Sequence, residues 1–364
     1  MPQFFVENFG CRATQADGAA LERQFEERGL TPATSPAQAS VVILNTCTVT
    51  SGADQDARAA IRRVRRQNPE ARIIVTGCYA QRAPEEIAAL PGVDLVVGNS
   101  HKHRVAEIAI PHVDCAPEVQ LNFVSLERLA GTMNEGQSPE GLKPHSLLPP
   151  DGTAEAVPFH KTICDRNSES AIFVSDIFAH TELLAAPVFD AANERTRPNL
   201  KIQDGCDNRC SFCVIPYVRG QSRSLDPGRI IREINTLVNA GYKEVVISGI
   251  NLGRWGKDLP TTHAGTAHGG TAALDLPGEP GSVRSLVAVV RAILAETKLE
   301  KLRVSSVEPM DWTDDLISLV ASSPRIAKHA HVPMQSGSDS VLRRMHRKYR
   351  PCHYREKIET IRAA

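Results

Sequence analysis

Residues 201–224 read KIQDGCDNRCSFCVIPYVRGQSRS. The stretch continues a strand-like run, NLKIQDG at 199–205, and then sets Cys206, Cys210 and Cys213 on one short loop. Downstream, PGRIIREINTLVNAG (227–241) has helical periodicity and EVVISGI (244–250) is a short β-branched run. RSLVAVVRAILAET (284–297), DDLISLVAS (314–322) and SVLRRMH (340–346) are predicted helices, and KLRVSSV (301–307) and HAHVPMQ (329–335) predicted strands. This alternation implies four parallel βα units, part of a (βα) barrel. Barrel active sites lie at the C-terminal ends of the strands, which is where the cysteine loop falls.

Residues 1–110 alternate in the same way. QFFVENF (3–9), VVILN (41–45), RIIVT (72–76) and DLVVG (94–98) read as strands; GAALERQFEERG (18–29), DQDARAAIRRVRRQ (54–67) and the segment after Pro84 read as helices. Such a pattern predicts a doubly wound parallel sheet. Residues 111–197 are rich in Pro, Gly and Ser without a sustained period, and 261–281 are of low complexity. The expected organisation is therefore α/β: an N-terminal doubly wound parallel-sheet domain over 1–110, an irregular linker or insertion over 111–197, and a partial (βα) barrel over 198–364.

The 364 residues carry 42 Lys+Arg against 42 Asp+Glu, so any nucleic-acid affinity has to come from local basic patches. No apolar run approaches the ~20 residues needed to span a bilayer. The start, MPQFFVENFGC, lacks the basic and apolar regions of a signal peptide. A cytoplasmic protein without membrane contact is expected. Nine cysteines, an odd number, argue against a fully paired disulfide framework. In a reducing compartment, clustered cysteines point instead to metal or redox chemistry.

Three thiolates on one loop can each take one iron of a cubane cluster, leaving a fourth iron open to a small molecule. A zinc knuckle would need a fourth Cys or His close by, and none follows. Phe212 gives the loop an aromatic cover. A second set is spread along the chain: Cys11, Cys47 and Cys78 each fall within two residues after a predicted strand. In an open parallel sheet those strand ends lie side by side at the ligand-binding edge, so three thiols would converge there. The alternative is three buried apolar cysteines, which cores often contain. Cys115 and Cys164 have no partner at ligand spacing and read as incidental thiols.

KIQDGCDNRCSFCVIPYVRGQSRS resembles the signature of radical S-adenosylmethionine (SAM) enzymes in the form used by methylthiotransferases. FGC, NTCTVT and TGCYAQ resemble the three cysteine motifs of that family's N-terminal domain, and SGINLGRWGKDL (248–259) and HVPMQSGSDSVLRRM (331–345) extend the likeness to residues 1–100 and 198–350. The resemblance implies two [4Fe–4S] clusters. Cys206, Cys210 and Cys213 would ligate one, whose open iron binds SAM for one-electron cleavage to a 5′-deoxyadenosyl radical. Cys11, Cys47 and Cys78 would hold an auxiliary cluster that carries or activates the sulfur donor. Thr14 stands where the family usually has Asn, a local departure; Asn45 is retained. The motifs are most similar to the subgroup acting on N6-threonylcarbamoyladenosine in tRNA. Related subgroups act on isopentenyladenosine in tRNA or on an aspartate of a ribosomal protein. Family members continue through two more barrel units and an RNA-gripping β-barrel, so the chain is expected to be C-terminally truncated, and a truncated, non-catalytic iron–sulfur protein is a further reading.

On the same resemblance, Ser248, Gly249 and Asn251 end a barrel strand where they would meet the amino or carboxylate group of SAM, and Glu308 and Gln335 would meet its hydroxyls. No catalytic residue is expected beyond the cluster ligands. Arg219 and Arg223 flank the cysteine loop and suit a phosphate or carboxylate. Two basic runs, Arg58, Arg62, Arg65 and Arg66 on one helical face and Arg343, Arg344, Arg347, Lys348 and Arg350, are candidate contacts to a tRNA anticodon loop. The other expected partner is an electron donor of flavodoxin or ferredoxin type, and the chain itself is expected to be a monomer.

Overall fold

The run Val41–Thr46, buried at every position, forms a strand with neighbours on both sides and helices on both faces. It belongs to a computed structural model that describes residues 2–110, 170–180, 183, 187–188, 197–259 and 284–364, all within one compact unit. Its sheet comprises β1 (Gln3–Asn8), β2 (Thr31–Pro32), β3 (Val41–Thr46), β4 (Arg72–Gly77), β5 (Leu95–Gly98) and β6 (Ala171–Phe173), in the order β2-β1-β3-β4-β5-β6 with every pairing parallel. The period-2 alternation of β-branched residues feeds two cores. Val42, Leu44, Ile73 and Val75 pack against Ala57, Ala60, Ile61 and Val64 of α2 (Ser51–Gln67). Ile43, Ile74 and Val97 pack on the opposite face against Leu21 and Phe25 of α1 (Arg12–Glu26) and Val105 of α5 (Val105–Ala109). Two short helices, α3 (Cys78–Arg82) and α4 (Pro84–Ala88), lie between β4 and β5.

The second sheet contains β8 (Asn199–Asp204), β10 (Glu244–Gly249) and β11 (Lys301–Val304) in parallel. Two-residue strands, β7 (Pro187–Val188) and β9 (Arg223–Ser224), pair antiparallel with β8. Leu200, Ile202, Val245, Ile247, Leu302 and Val304 share one core with Ile230, Ile234 and Leu237 of α7 (Pro227–Asn239), Val290 and Ile293 of α8 (Leu286–Glu296) and Leu316 of α9 (Asp314–Ser322). Alternate positions of β8 are polar yet buried: Asn199, Lys201 and Gln203 face away from that core. A short helix, α6 (Ile215–Arg219), follows the cysteine loop, and α10 (Asp339–Arg344) and α11 (Pro351–Ala363) complete the described elements.

Several local expectations change. HAHVPMQ (329–335) forms no strand, so among the described residues three parallel strands replace the four expected. Pro333 lacks an N–H to donate. Tyr349 Oη donates to the carbonyls of Pro333 and Met334, and Tyr354 Oη to that of Val332, occupying acceptors a ladder would use. Gln335 has φ +65°, which ends extended backbone. KLRVSSV is strand only through Val304. Helix α1 begins at Arg12, six residues before the sequence-predicted start, because Gly18 is an interior position against which the Asn8 side chain packs. Helix α2 begins at Ser51, where the Thr50 hydroxyl accepts from the Ala53 amide as an N-cap. Within the stretch expected to be irregular, Ala171–Phe173 adds the sixth strand of the first sheet and Pro187–Val188 a strand of the second. Cys115, Cys164 and the expected loop over 261–281 lie outside the described residues.

Candidate functional site

Strands β1, β3 and β4 are neighbours, and each delivers a cysteine just past its C-terminal end. Cys11 is the N-cap of α1, Cys47 directly follows β3, and Cys78 opens α3. The chain runs from β1 outward to β2 and then crosses back to β3, so Cys11 and Cys47 flank the topological switch point where open α/β sheets bind ligands. Two glycines permit the approach. Gly77 has φ +103° and passes against the Thr46 backbone. Gly10 has φ +101°, and a Cβ there would stand 2.7 Å from Cys47 Cβ. Gly10→Ala should therefore lower stability by about 1–3 kcal/mol. Denaturant unfolding checks this; an unchanged midpoint and slope would show that the approach is not tight.

The environment of these thiols is uneven. Burial raises the Cys11 thiol, but the Arg219 guanidinium, the Thr14 hydroxyl and the amides of Thr14 and Ala13 outweigh it and bring it below its ordinary value. Burial pushes the Cys47 thiol up, and the neighbouring Cys78 and Cys11 add to the rise. Thr14 Oγ1 lies 3.6 Å from Cys11 Sγ, and Asn99 Nδ2 lies 3.6 Å from Cys78 Sγ while donating to the Val218 carbonyl at 2.7 Å. Asn99 thus ties this set to α6, the helix after the other cysteine loop.

That loop leaves the C-terminal end of β8. Gln203 braces it, donating to the Gly205 carbonyl and to Ser222 Oγ (both 2.9 Å) and accepting from the Asn251 amide at 2.7 Å. Asn251 Nδ2 lies 3.6 Å from Cys206 Sγ. Burial raises the thiols of Cys206 and Cys210, with Glu308 and Cys213 adding to it. A cavity of about 310 Å³ opens beside Cys210, lined by Asp207, Asn208, Arg209, Glu308, His346, Arg347 and Lys348. Among the described residues no three His, Cys, Asp or Glu side chains converge on one ion position. A cubane takes each thiolate at a separate iron, so it does not ask the sulfurs to meet. The donors present fit such a cluster with a polar ligand beside it: Ser248 Oγ and Asn251 Oδ1 are buried at the end of β10 with no hydrogen-bond partner.

The remaining sequence-chosen residues scatter. Gly249 packs its Cα on the Gln203 side chain. Glu308 lines the cavity but is held by Arg347 at 2.6 Å. Gln335 is exposed and outside any strand. Arg219 and Arg223 are both engaged by the protein itself, Arg219 with two carboxylates and Arg223 with the carbonyls of His180 and Gln221. The basic runs are thinner than their sequence suggests. Arg58 pairs with Glu86, Arg65 with Asp94, and Arg343 and Arg350 with Asp339. Arg347 stacks over the Phe212 ring, 5.6 Å from its centroid. Arg62, Arg66, Arg344 and Lys348 remain exposed.

Sequence reasoning missed a buried ion network between the two cysteine sets. Asp17, on the α1 face that meets β8, accepts from Lys102 Nζ (3.0 Å), Lys201 Nζ and Arg219 Nη2 (3.0 Å). Asp204 takes Lys201 Nζ at 2.8 Å and Arg219 Nη1 at 3.0 Å. Burial works to raise the Asp17 carboxyl, but Lys102, Lys201 and Arg219 outweigh it and hold it at about 2. Asp204 is likewise held well below the carboxylate range against its burial, by Arg219 and Lys201. Lys102 also donates to Asn45 Oδ1 at 3.0 Å, and Asn45 Nδ2 to the Thr14 carbonyl at 2.8 Å. The available signals were Asp17 within the apolar stripe Ala13–Ala16–Ala20–Leu21, and the Lys201/Gln203 alternation in β8.

A model of the radical SAM superfamily matches residues 200–364, and one described as uncharacterized protein family UPF0004 matches residues 3–98. The threonylcarbamoyladenosine tRNA methylthiotransferase MtaB of Aquifex aeolicus is 31% identical over 357 residues, with 98% of this chain and 68% of that protein covered. The chain belongs to the radical SAM methylthiotransferase family. MtaB of Bacillus subtilis is 32% identical over 355 residues, covering 98% of this chain; the chain spans 62% of that relative's length. The tRNA-2-methylthio-N(6)-dimethylallyladenosine synthase of Dictyoglomus thermophilum is 28% identical over 367 residues, covering 100% of the chain and 66% of that protein. Among solved structures, the radical SAM methyltransferase TsrM of Kitasatospora setae matches with a TM-score of 0.55 at 11% identity, covering 99% of this chain and 65% of that one, a likeness of fold. The two cysteine sets fall in the two matched regions, and the ion network joins those regions. No helix among the described residues is long and apolar enough to cross a membrane.

Proposed function

We propose that this chain carries the cluster-bearing part of a tRNA methylthiotransferase, which adds a methylthio group to C2 of N6-threonylcarbamoyladenosine at position 37. The observation that carries the reading is the pair of three-cysteine sets at the ends of parallel strands, fastened together through Asn99 and Arg219. Cys206, Cys210 and Cys213 would hold one [4Fe–4S] cluster, and Cys11, Cys47 and Cys78 a second. When bound, the first supplies an electron to SAM, the chemistry needed to break an unactivated C–H bond.

The chain's own residues do the positioning. Asn251 and Ser248 offer unpaired polar atoms to the amino-acid end of SAM, with Gly249 and Gln203 fixing the strand end beneath them. Glu308 and Gln335 are the groups assigned to its hydroxyls. Phe212 and the Arg347–Glu308 pair stand beside the cysteine loop, where the cavity next to Cys210 opens. Arg62, Arg66, Arg344 and Lys348 are the exposed basic groups of the two runs that are left for RNA phosphates. Tyr217, 69% exposed, and Phe178 form an edge-to-face pair on which an unstacked anticodon-loop base can lie. A flavodoxin- or ferredoxin-type reductant, a monomeric chain and a cytoplasmic setting complete the reading.

The test is mass spectrometry of tRNA nucleosides from a host lacking its own enzyme and expressing this gene. The expected result is the methylthio group on N6-threonylcarbamoyladenosine. Its appearance on the dimethylallyl (isopentenyl) nucleoside, which relatives such as the Dictyoglomus protein are named for, would move the substrate. A methylthio group on a ribosomal aspartate with tRNA unchanged would reject RNA as the substrate.

A further inference from the structure

The buried network contains three cations, Lys102, Lys201 and Arg219, and two anions, Asp17 and Asp204. One positive charge is left over. Arg219 spends Nη1 on Asp204 and Nη2 on Asp17, and Nη2 also reaches Thr14 Oγ1 at 3.5 Å. Its Nε is buried with no hydrogen-bond partner, although the residue is only 2% exposed. An unpaired guanidinium N–H in a buried site is a donor awaiting an acceptor. Cys11 and Cys78 are among the groups whose charge acts on this guanidinium, and Thr14 lies between it and Cys11 Sγ. Arg219 belongs to α6, which follows the Cys206–Cys213 loop, yet its charge is presented to the other cysteine set.

We propose that Arg219 is a positioning residue that sets the reduction potential of the cluster held by Cys11, Cys47 and Cys78, reaching that cluster from the loop that carries the other. This rests on the reading of those three cysteines as cluster ligands. The physical basis is electrostatic. A cation in a water-poor interior favours whichever redox state carries more negative charge, and there it is screened far less than at a surface. Reduction adds an electron, so the leftover positive charge makes it easier, raising the potential. Thr14, where the family usually places Asn, is the residue through which the guanidinium meets the Cys11 ligand loop.

The test uses the full chain carrying Cys206→Ala, Cys210→Ala and Cys213→Ala, so that only the second cluster is read, by dithionite titration with redox mediators followed by electron paramagnetic resonance. Arg219→Gln, which takes the network from +1 to neutral, should shift the midpoint negative. Asp17→Asn, which takes it to +2, should shift it positive. Arg219→Gln with Asp17→Asn restores +1 and should return the midpoint towards its starting value, and Arg219→Lys should leave it nearly in place. Folding is followed by circular dichroism and iron content in each variant. Arg219→Gln and Asp17→Asn shifting in the same direction, or neither shifting while iron is retained, would overturn the proposal. If the triple-alanine chain holds no iron before any further change, the ligand reading itself fails and the proposal falls with it.

Discussion

Anaerobically reconstituted chain should carry about eight irons, and the combined replacement of Cys206, Cys210 and Cys213 with Ala should remove about four of them. The same replacement should end dithionite-driven cleavage of SAM to 5′-deoxyadenosine, a complete loss where most single substitutions change a rate by a modest factor. Cys210→Ala alone should do so, because a cluster needs all three protein thiolates of its set and this one borders the cavity with Glu308 and Arg347. Cys11→Ala, Cys47→Ala and Cys78→Ala together should remove the other four irons and leave SAM cleavage in place. Cys352, exposed on α11, serves as a control: Cys352→Ala should change neither iron nor cleavage. So should Cys115→Ala and Cys164→Ala. An iron count unchanged by the first triple substitution would sink the ligand assignment, and loss of cleavage in a control would show that a ligand was wrongly chosen.

The sequence carries this much of the site because its signals are local. β-branched runs such as VVILN and RIIVT declare strands by composition, and a cysteine within two residues of a strand end is placed at the sheet edge by topology alone. What lies beyond is set by partners distant in the chain. Asp17 meets Lys102 across 85 residues and Arg219 across 202, and nothing local to any of them reports the meeting. Thr14 read as a tolerable departure in a ligand motif; its hydroxyl in fact sits between Cys11 Sγ and the Arg219 guanidinium. HAHVPMQ failed as a strand because tyrosines at 349 and 354 take its carbonyls, again a partnership its own composition does not encode. The basic runs are thinner than they read for the same reason, since whether an arginine is free depends on acids elsewhere, such as Asp94 for Arg65 and Glu308 for Arg347.

Removing the hub of the buried network should strongly destabilise the chain. Asp17 is 1% exposed and accepts from all three cations. Asp17→Ala leaves Lys102, Lys201 and Arg219 with only Asp204 between them, so uncompensated positive charge stays in a site from which water is excluded. Losing one partner of a buried ion pair costs about 3–5 kcal/mol, more than the pair's net contribution, because the desolvation of the survivors is no longer offset. That is a large fraction of the 5–15 kcal/mol by which domains are typically stable. The sign of a second change separates charge from packing. Lys201→Met in the Asp17→Ala background removes one surplus cation and puts an apolar chain of similar length in a position that is 0% exposed, so it should recover part of the loss. If the effect came only from the cavity left by the Asp17 side chain, Lys201→Met would add to it instead. Denaturant unfolding of the four members of this cycle gives the coupling directly. A purely additive or more destabilised double variant would show that Asp17 holds α1 against β8 by shape and not by charge.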